Sequence, residues 1–260
     1  MLPGLLILGT SLLSRDESRF VDFTLSAESY RRLIDPLYAA VFGRSAALAL
    51  AATALCLAVG YPFAYLVARA PGRLRPLLLL LVVIPFWTNS LVRTYAIRTL
   101  LAAQGLLNGL LQALGLVDEP LRLLYTGTAV ISGLVYVLLP FMVLPLFAVI
   151  EQLDQRMIEA AEDLGANRVQ VFLRVVIPLT LPGIIAGSLL VFLPALGMFY
   201  VSDLLGGARD LLIGNLIKSQ FLDARDWPFG SAASVAMTAA MALLLGAYRW
   251  SGGRLGGGRL

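Results

Sequence analysis

The side chains that most often perform catalysis are scarce in this sequence. There is no histidine, so the commonest general base and metal ligand is absent. The lone cysteine, Cys56, lies inside an apolar run, which predicts a small buried residue rather than a thiolate ligand. Lys218 is the only lysine, and no glycine-rich phosphate-binding loop precedes it. We therefore expect this chain to have no catalytic residues, no metal site and no cofactor.

Polar residues that could recognise a solute occur instead within or beside long apolar runs. Asn89 and Arg93 interrupt one run, and Asp203 follows Phe199 and Tyr200 near the end of another. Polar groups at membrane depth are costly, and they usually face a cavity or a partner. These residues are therefore candidates for recognition rather than for chemistry.

The composition indicates that the elements carrying these residues lie in a membrane. Hydrophobic residues make up 59% of the chain and charged residues 14%, with a mean hydropathy of +0.84. A soluble domain has about 25% charged residues, so lipid is the natural solvent for this chain. The net charge of +4 comes mainly from arginines at the ends of apolar runs, which favours membrane topology over nucleic-acid binding.

The apolar runs predict an all-α transmembrane fold with five clear spans and a truncated first span. A membrane-spanning helix needs about 20 mostly apolar residues. Residues 1–13 are apolar but too short, and we interpret them as the outer end of a first span. We expect one transmembrane domain over residues 1–250 and a flexible glycine- and arginine-containing tail over 251–260. The five predicted spans are 45–68, 77–101, 126–150, 183–205 and 230–250.

The distribution of arginine predicts the orientation of the spans. The positive-inside rule places the short arginine-rich loop 69–75 and the C-terminal tail in the cytoplasm. Four crossings separate them, so the two placements agree, and they put 151–182 in the cytoplasm as well. The amphipathic stretch 106–114 then faces out, and we expect it to lie along the membrane interface.

The segment 151–182 is longer than a simple link and predicts two helices separated by a break. Asp154 is suited to cap the first helix, and Gly165 is typical of a helix end. Asn167 can cap the second helix. We expect Pro178 and Pro182 to prevent that helix from continuing smoothly into the next span.

The first of these helices has a small apolar face and mostly acidic charge. Membrane-surface helices are usually basic and carry larger apolar residues. The pattern therefore favours docking in the groove of a protein partner. The apolar face consists of Met157, Ile158, Ala160, Ala161 and Leu164.

This segment also carries a family resemblance. The run 159–166, Glu-Ala-Ala-Glu-Asp-Leu-Gly-Ala, with Phe172, Pro178 and Pro182-Gly183 behind it, resembles the EAA coupling motif of ABC importer permeases. That resemblance implies a type I ABC importer permease-like helical bundle. Further runs extend the likeness over about residues 2–250 to the spermidine/putrescine permeases of this family. They are 83–93, 133–142, 199–204 and 225–230.

The resemblance implies how the coupling segment works. In that family the first helix docks in a cleft of the ATPase subunit. Carried over to this chain, the coupling positions are Glu159, Ala160, Ala161 and Gly165. Glu159 would meet a basic group on the ATPase, and Gly165 would allow the sharp turn between the helices.

The resemblance also implies the partners and the location. The partners are a second permease subunit in a heterodimer, two ATP-binding cassette subunits, a periplasmic polyamine-binding protein and membrane lipid, with no nucleic acid. The chain is then not an enzyme, because ATP hydrolysis belongs to a separate subunit. It would lie in the bacterial inner membrane as a multi-pass protein, with its coupling loop and C-terminus in the cytoplasm.

A polyamine substrate assigns possible roles to the polar and aromatic residues. Recognition of a flexible polycation calls for carboxylates and aromatic faces. The candidates for the substrate pathway are Asp203, Tyr200, Trp87, Tyr95 and Tyr136. The alternative is that Asp203 is hydrated at the interface and that the aromatic residues belong to an interfacial belt.

Other charged residues suit different roles. Arg93 would repel a polycation, so we expect it to pair with a carboxylate or to face lipid headgroups. Asp223 and Asp226, together with Trp227, are candidates for contact with the binding protein.

Alternative functions remain open from the sequence alone. One is an ABC permease for another small solute. A second is a stand-alone secondary transporter, which would need internal repeats with broken helices, and no convincing repeat is visible. A membrane enzyme and a structural role are further alternatives.

Overall fold

The computed structural model describes residues 2–15, 21–207 and 210–255, and these residues are mostly helical. A 3₁₀ turn (Ile84–Trp87) follows the fourth helix, and a π-helical turn (Phe172–Val176) joins the ninth to the tenth. The two short strands pair in an antiparallel hairpin. The elements in chain order are α1 (Leu2–Ser11), β1 (Leu13–Ser14), β2 (Asp22–Leu25), α2 (Glu28–Leu33), α3 (Pro36–Arg69), α4 (Arg75–Val83), α5 (Ser90–Leu101), α6 (Leu106–Ala113), α7 (Gly127–Glu151), α8 (Gln155–Asp163), α9 (Arg168–Val171), α10 (Ile177–Gly197), α11 (Phe199–Leu205), α12 (Ile213–Leu222) and α13 (Trp227–Leu255).

The predicted transmembrane class is confirmed by the length and apolarity of the helices. Among the described residues, four helices are long and apolar enough to cross a membrane, and a bent helix pair raises the number to five. The helix α3 begins well before residue 45, because Asp35 accepts a hydrogen bond from the backbone N–H of Leu37 at 2.9 Å and Pro36 occupies the first turn.

The core lies where α7 packs between α3 and α10. Along α7, Leu134, Leu138, Met142 and Leu146 follow one another at intervals of four residues, and each is fully buried. Close approach of α10 depends on Gly187, where an added Cβ would lie 2.8 Å from the Met142 sulfur and 3.2 Å from its carbonyl oxygen. Small residues at such contacts are typical of membrane helix packing.

The second predicted span, 77–101, is wrong as a single straight helix. Residues 75–87 and 90–113 form two arms that are bent by 93°. Pro85 lies in the 3₁₀ turn, and the Asn89 side chain accepts a hydrogen bond from Leu91 N at 2.8 Å, which starts α5 as a new helix. A cap in the middle of an apolar run therefore breaks the span.

The expected break at Pro178 and Pro182 is also wrong. The helix is continuous from Arg168 to Gly197 and passes through the π-helical turn at Phe172–Val176. Pro178 falls in the first turn of α10, where a missing N–H is tolerated. The coupling segment is therefore joined to α10 by continuous helix.

The fourth predicted span, 183–205, divides near its outer end. The helix α10 ends at Gly197, and Met198, with φ −76° and ψ 63°, separates it from the short helix α11. Asp203 consequently lies on α11 and not on the spanning helix.

The N-terminal residues pack along the last helix. The helix α1 lies against α13, and the hydroxyls of Thr10 and Ser231 are 2.7 Å apart. The fifth predicted span, 230–250, corresponds to α13, which begins at Trp227. In the predicted tail, the described backbone is helical to Leu255, and residues 256–260 lie outside the described residues.

Candidate functional site

The segment between α7 and α10 has the two caps and the turn that its sequence predicts. Asp154 accepts a hydrogen bond from Arg156 N at 3.0 Å, which begins α8. Gly165 adopts φ +84°, a conformation that favours glycine, at the turn that ends this helix. Asn167 and Gln170 then form a reciprocal capping box that starts α9. Strictly local signals therefore determine this helix–turn–helix.

The helix α8 stands away from the rest of the chain. None of its residues is buried, and its main packing is against α9 and the π-helical turn that follows it. Glu159 and Ala160 are exposed, and Ala161 is half-buried. Met157 is 50% exposed, and Leu164, which follows α8, is 89% exposed. An apolar face without an internal partner is a surface suited to docking.

The segment behind α8 is, in contrast, anchored to the bundle. The ring of Phe172 meets the ring of Tyr61 edge to face at 5.6 Å. The Tyr61 hydroxyl is 2.9 Å from that of Thr180, which donates to the Val176 carbonyl at 2.9 Å. These contacts attach the segment that follows α8 to α3 and to α10.

The loop 69–75 lies at the same end of the bundle. Arg75 donates from Nη1 to Glu151 at the end of α7, over 2.7 Å, and from Nη2 to the Ala68 carbonyl at 2.9 Å. This guanidinium ties the ends of α3 and α7 to the start of α4. Neither the Tyr61–Thr180 contact nor this connection was predicted, because they join residues far apart in sequence.

The predicted pathway residues do not converge on a single site within the described chain. Trp87 is 78% exposed at the break of the second span, and Tyr95 and Tyr136 are about half exposed. Tyr200 donates from its hydroxyl to Ser90 Oγ at 3.1 Å, which joins α11 to α5. Trp87, Tyr95 and Tyr136 are therefore separately exposed, and Tyr200 lies nearest to Asp203 in sequence.

Asp203 already has a cationic partner. Lys218 Nζ lies 2.7 Å from the carboxylate, and Asn215 Nδ2 donates to the other carboxylate oxygen at 2.5 Å. The same ammonium lies 5.4 Å from the centre of the Phe199 ring. The hydrogen bond to Asp203 raises the pKa of Lys218. Sequence reasoning missed Lys218 as a partner, although its spacing from Asn215 places both on one face of α12.

A cavity of about 240 Å³ adjoins this ion pair. Its polar lining includes Asp203, Lys218 and Asp223. Of the two other carboxylates suggested for contact with a binding protein, Asp223 is exposed, whereas Asp226 is only 1% exposed. Asp226 accepts a hydrogen bond from Arg32 at 2.7 Å and holds α2 against α13, so its predicted contact role is not supported.

Arg93 has no carboxylate partner among the described residues. It is 8% exposed, and its Nε and Nη1 atoms are buried without a hydrogen-bond partner. Its guanidinium lies 5.8 Å from the centre of the Phe86 ring. It borders a cavity of about 380 Å³ between α5, α6 and α7, together with Tyr136 and Ser132.

The fold has counterparts among solved transporters. A bacterial alginate ABC transporter in complex with an alginate pentasaccharide-bound periplasmic protein has a chain that matches with a TM-score of 0.66 at 18% identity, covering 89% of this chain and 84% of that chain. A bacterial ABC transporter involved in the import of the acidic polysaccharide alginate matches with a TM-score of 0.64, covering 95% and 88%. These likenesses confirm the predicted ABC importer permease fold.

Sequence comparison finds relatives that are much more similar to this chain than these solved structures are. The chain is 56% identical over 254 residues to the spermidine/putrescine transport system permease protein PotB of Escherichia coli, which covers 98% of this chain and 92% of that relative. The protein of the same name from Haemophilus influenzae is 55% identical over 248 residues, or 95% and 87%. Residues 60–255 match the family described as binding-protein-dependent transport system inner membrane component. The chain therefore belongs to this family of inner-membrane transport components.

Proposed function

We propose that this chain is the membrane-spanning permease subunit of an ATP-driven importer of polyamines, with spermidine or putrescine as the substrate. The observation that carries the substrate class is the 56% identity, over 98% of the chain, to a relative named as a spermidine/putrescine permease. In the proposed assembly, this chain forms half of the pathway and a related permease forms the other half. Two ATP-binding cassette subunits supply energy, and a periplasmic binding protein delivers the solute.

We assign coupling to α8 and the turn behind it. The coupling positions are Glu159, Ala160, Ala161 and Gly165, as the EAA resemblance implies. Their support is geometric, because α8 contains no buried residue and Leu164 beside it is 89% exposed. The exposed apolar surface of α8 and Leu164 is one that a cleft on an ATPase can cover.

In this proposal, a displacement of α8 is transmitted into the bundle. When ATP draws the two ATPase subunits together, the docked α8 moves with them. The continuous helix 168–197 carries that displacement, and the contact of Phe172 with Tyr61 passes it to α3. A rigid lever attached to a packed core switches the core between discrete arrangements. The proposed arrangements open the pathway alternately inward and outward.

The proposed pathway uses Asp203 with Tyr200, Trp87, Tyr95 and Tyr136. The carboxylate and the aromatic faces offer a polyamine the contacts that ammonium groups prefer. Because Trp87, Tyr95 and Tyr136 are exposed on this chain, the second permease would supply the surface that completes the pathway.

We further propose that the coupling loop and the C-terminus face the cytoplasm. The arginine-rich loop 69–75 supports this orientation through the positive-inside rule. Arg75 and Glu151 bring that loop to the end of the bundle from which the coupling segment extends.

Uptake of labelled polyamines tests the substrate and the energy source together. Cells without their own polyamine importers would express this chain with its second permease, ATPase and binding protein. We expect uptake of labelled spermidine or putrescine that unlabelled polyamine suppresses and that stops when a Walker lysine of the ATPase is replaced. Uptake that survives this replacement but collapses with an uncoupler would indicate a secondary transporter.

The family also includes relatives named for other solutes, which sets the control for specificity. A molybdenum transport system permease protein from Mycobacterium bovis is 34% identical over 165 residues, or 62% of this chain. Unlabelled molybdate should therefore leave polyamine uptake unchanged. An assembled complex that imports neither labelled polyamine would contradict the proposed substrate.

A further inference from the structure

Arg93 is a buried cation whose counter-charge is missing from the described chain. Arg93 is only 8% exposed, and its Nε and Nη1 atoms are buried without a hydrogen-bond partner among the described residues. Breaking a buried ion pair by removing one member costs several kcal/mol, because the remaining charge is left uncompensated. Phe86, whose ring centre is 5.8 Å away, offsets this only in part, so an anionic group from outside the described residues would stabilise the guanidinium further.

The cavity beside Arg93 provides room for that group. It measures about 380 Å³, and three elements surround it: α5, α6 and α7. Apolar side chains form most of the lining, including Leu100, Leu107 and Leu110, each more than a third exposed. A helix from another subunit would cover these leucines and place one polar side chain against Arg93.

A lipid headgroup is a poorer match for this position. Tyr136 shares the cavity with Arg93 and lies nine residues inside α7 from Gly127. That separation corresponds to about 14 Å along the helix axis. At that depth a carboxylate on a spanning helix is the better-matched anion. A headgroup at the α6 side of the cavity would leave Arg93→Glu without a restoring position in the charge exchange described below.

A second copy of this chain cannot supply the carboxylate from its spans. The described candidate spans 36–69, 75–113, 127–151, 168–197 and 227–246 contain a single acidic residue, Glu151. Glu151 lies at a helix end and is already paired with Arg75. A symmetric pair of copies would also bring two uncompensated Arg93 residues into the same interface, where like charges repel.

We infer that Arg93 forms an intersubunit ion pair with an aspartate or glutamate on a membrane helix of a different permease chain, within the cavity between α5, α6 and α7. This inference rests on the proposed function for the existence of that second permease. The pair neutralises Arg93, which is buried and would otherwise repel a polycation nearby. It also makes the heterodimer more stable than a dimer of identical chains.

The test measures recovery of the second permease with an affinity-tagged version of this chain after extraction in mild detergent. We expect Arg93→Glu to lower the recovery by about tenfold or more, because close like charges cost several kcal/mol at an interface. Arg98→Glu is the matched control on the same helix. Arg98 donates to the Tyr125 hydroxyl at 3.2 Å and does not line the cavity, so this variant should recover the partner to within about twofold.

Charge exchange distinguishes a specific pair from general misfolding of the variant. Each acidic residue in the membrane helices of the second permease would be changed singly to arginine and combined with Arg93→Glu. At one position the combination should restore recovery to within about twofold of the wild-type pair, although each single change is deficient. Cysteines at position 93 and at that position should then be joined by a short bifunctional thiol reagent, because an arginine–carboxylate pair holds its two Cα atoms too far apart for a direct disulfide. Native Cys56 is fully buried, so it should not compete for the reagent.

Two results would overturn the inference. One is wild-type recovery with Arg93→Glu, and the other is the absence of any restoring position. Recovery is measured without solute or ATP, so it does not depend on the substrate. If the charge exchange restores assembly but the wild-type complex imports no polyamine, the proposed substrate fails and the ion pair stands.

Discussion

At the scale of single residues, Lys218 makes with Asp203 and Phe199 the contacts that a polyamine ammonium would seek. Its Nζ is 2.7 Å from the carboxylate and 5.4 Å from the centre of the aromatic ring. The hydrogen bond to Asp203 raises the pKa of Lys218, whose ammonium is charged at neutral pH even without this shift. A polyamine that uses Asp203 must therefore displace Lys218 or share the carboxylate with it.

We predict opposite effects for the two members of this pair. Asp203→Asn should lower polyamine uptake by about tenfold, because a hydrogen bond to a charged group contributes about 1.5–3 kcal/mol. Lys218→Gln should maintain or increase uptake at low substrate concentration, since it frees the carboxylate. Concentration-dependent uptake in cells measures both. Equal losses in the two variants would identify the pair as structural only.

Gly165 gives a second prediction at this scale. Nothing lies within 4 Å of an added Cβ, so Gly165→Ala should act only through the left-handed backbone, at a cost of about 1 kcal/mol. Gly165→Asn should be milder, because asparagine tolerates this conformation. We expect uptake per ATP hydrolysed to fall in the order glycine, asparagine, alanine.

Gly72→Ala is the control for the Gly165 series. Gly72 lies in the 69–75 loop at the same end of the bundle, also with nothing within 4 Å of a Cβ, and its φ is not positive. It should leave coupling unchanged. A Gly165→Ala variant as well coupled as Gly72→Ala would show that the turn does not require glycine.

The caps of the coupling segment could be predicted from sequence because they act locally. Asp154, Gly165 and Asn167 each satisfy backbone groups within a few residues of themselves. The partners of Asp203 and Asp226 could not be predicted in this way. Lys218 and Arg32 come from separate helices, and no periodic pattern connects them to those carboxylates.

At the scale of elements, α8 is exposed, whereas the continuous helix 168–197 that follows it packs into the bundle. Its apolar surface extends to Leu164, which is 89% exposed, while Val171 and Val176 behind it are buried. This contrast predicts that substitutions on α8 affect assembly with the ATPase, and that substitutions behind it affect stability.

Leu164→Ser tests the exposed part. The variant should fold normally, because Leu164 is almost fully exposed, yet bind the ATPase about tenfold more weakly, since burying a leucine contributes about 1.5–3 kcal/mol. Recovery of the ATPase with the tagged permease pair measures this effect. Leu25→Ser, at a leucine that is 82% exposed on β2, is the control, and an equal loss there would argue against docking through α8.

Tyr61→Phe tests the contact by which the segment that follows α8 is anchored to α3. It removes one buried hydrogen bond to Thr180 and retains the ring that packs on Phe172, so we expect a stability loss of about 1 kcal/mol. Tyr61→Leu should cost more, because the edge-to-face contact is lost too. Thermal unfolding of the purified permease pair measures both. Identical melting temperatures for wild type and both variants would exclude this contact as an anchor.

The helices themselves could be predicted from apolar runs, but their breaks could not. Pro85 and Asn89 carry the signals for a turn and a cap, yet apolar residues on both sides favoured one continuous span. The opposite error occurred at Pro178 and Pro182, because a π-helical turn precedes α10 and the helix continues through both prolines. Local sequence signals therefore missed the break between Trp87 and Ser90, and they predicted a break at Pro178 and Pro182 that the structure does not have.

At the scale of the whole molecule, ion pairs connect neighbouring elements at each end of the bundle. Arg75 with Glu151 joins helices at the coupling end. At the other end, Arg44 of α3 pairs with Asp210, which lies between α11 and α12, and Arg32 of α2 pairs with Asp226, which precedes α13. Between these connections lie the apolar contacts of α3, α7 and α10.

The measurement that tests the central claim most directly is coupled transport by the purified complex. The two permeases and two ATPase subunits would be reconstituted in liposomes with binding protein and labelled spermidine or putrescine. We predict polyamine uptake that requires ATP and binding protein, and a Gly165→Ala complex that stays assembled but takes up less polyamine per ATP hydrolysed, because alanine strains the left-handed turn. Uptake per ATP undiminished by Gly165→Ala, or an assembled wild-type complex that hydrolyses ATP without moving either polyamine, would contradict the account.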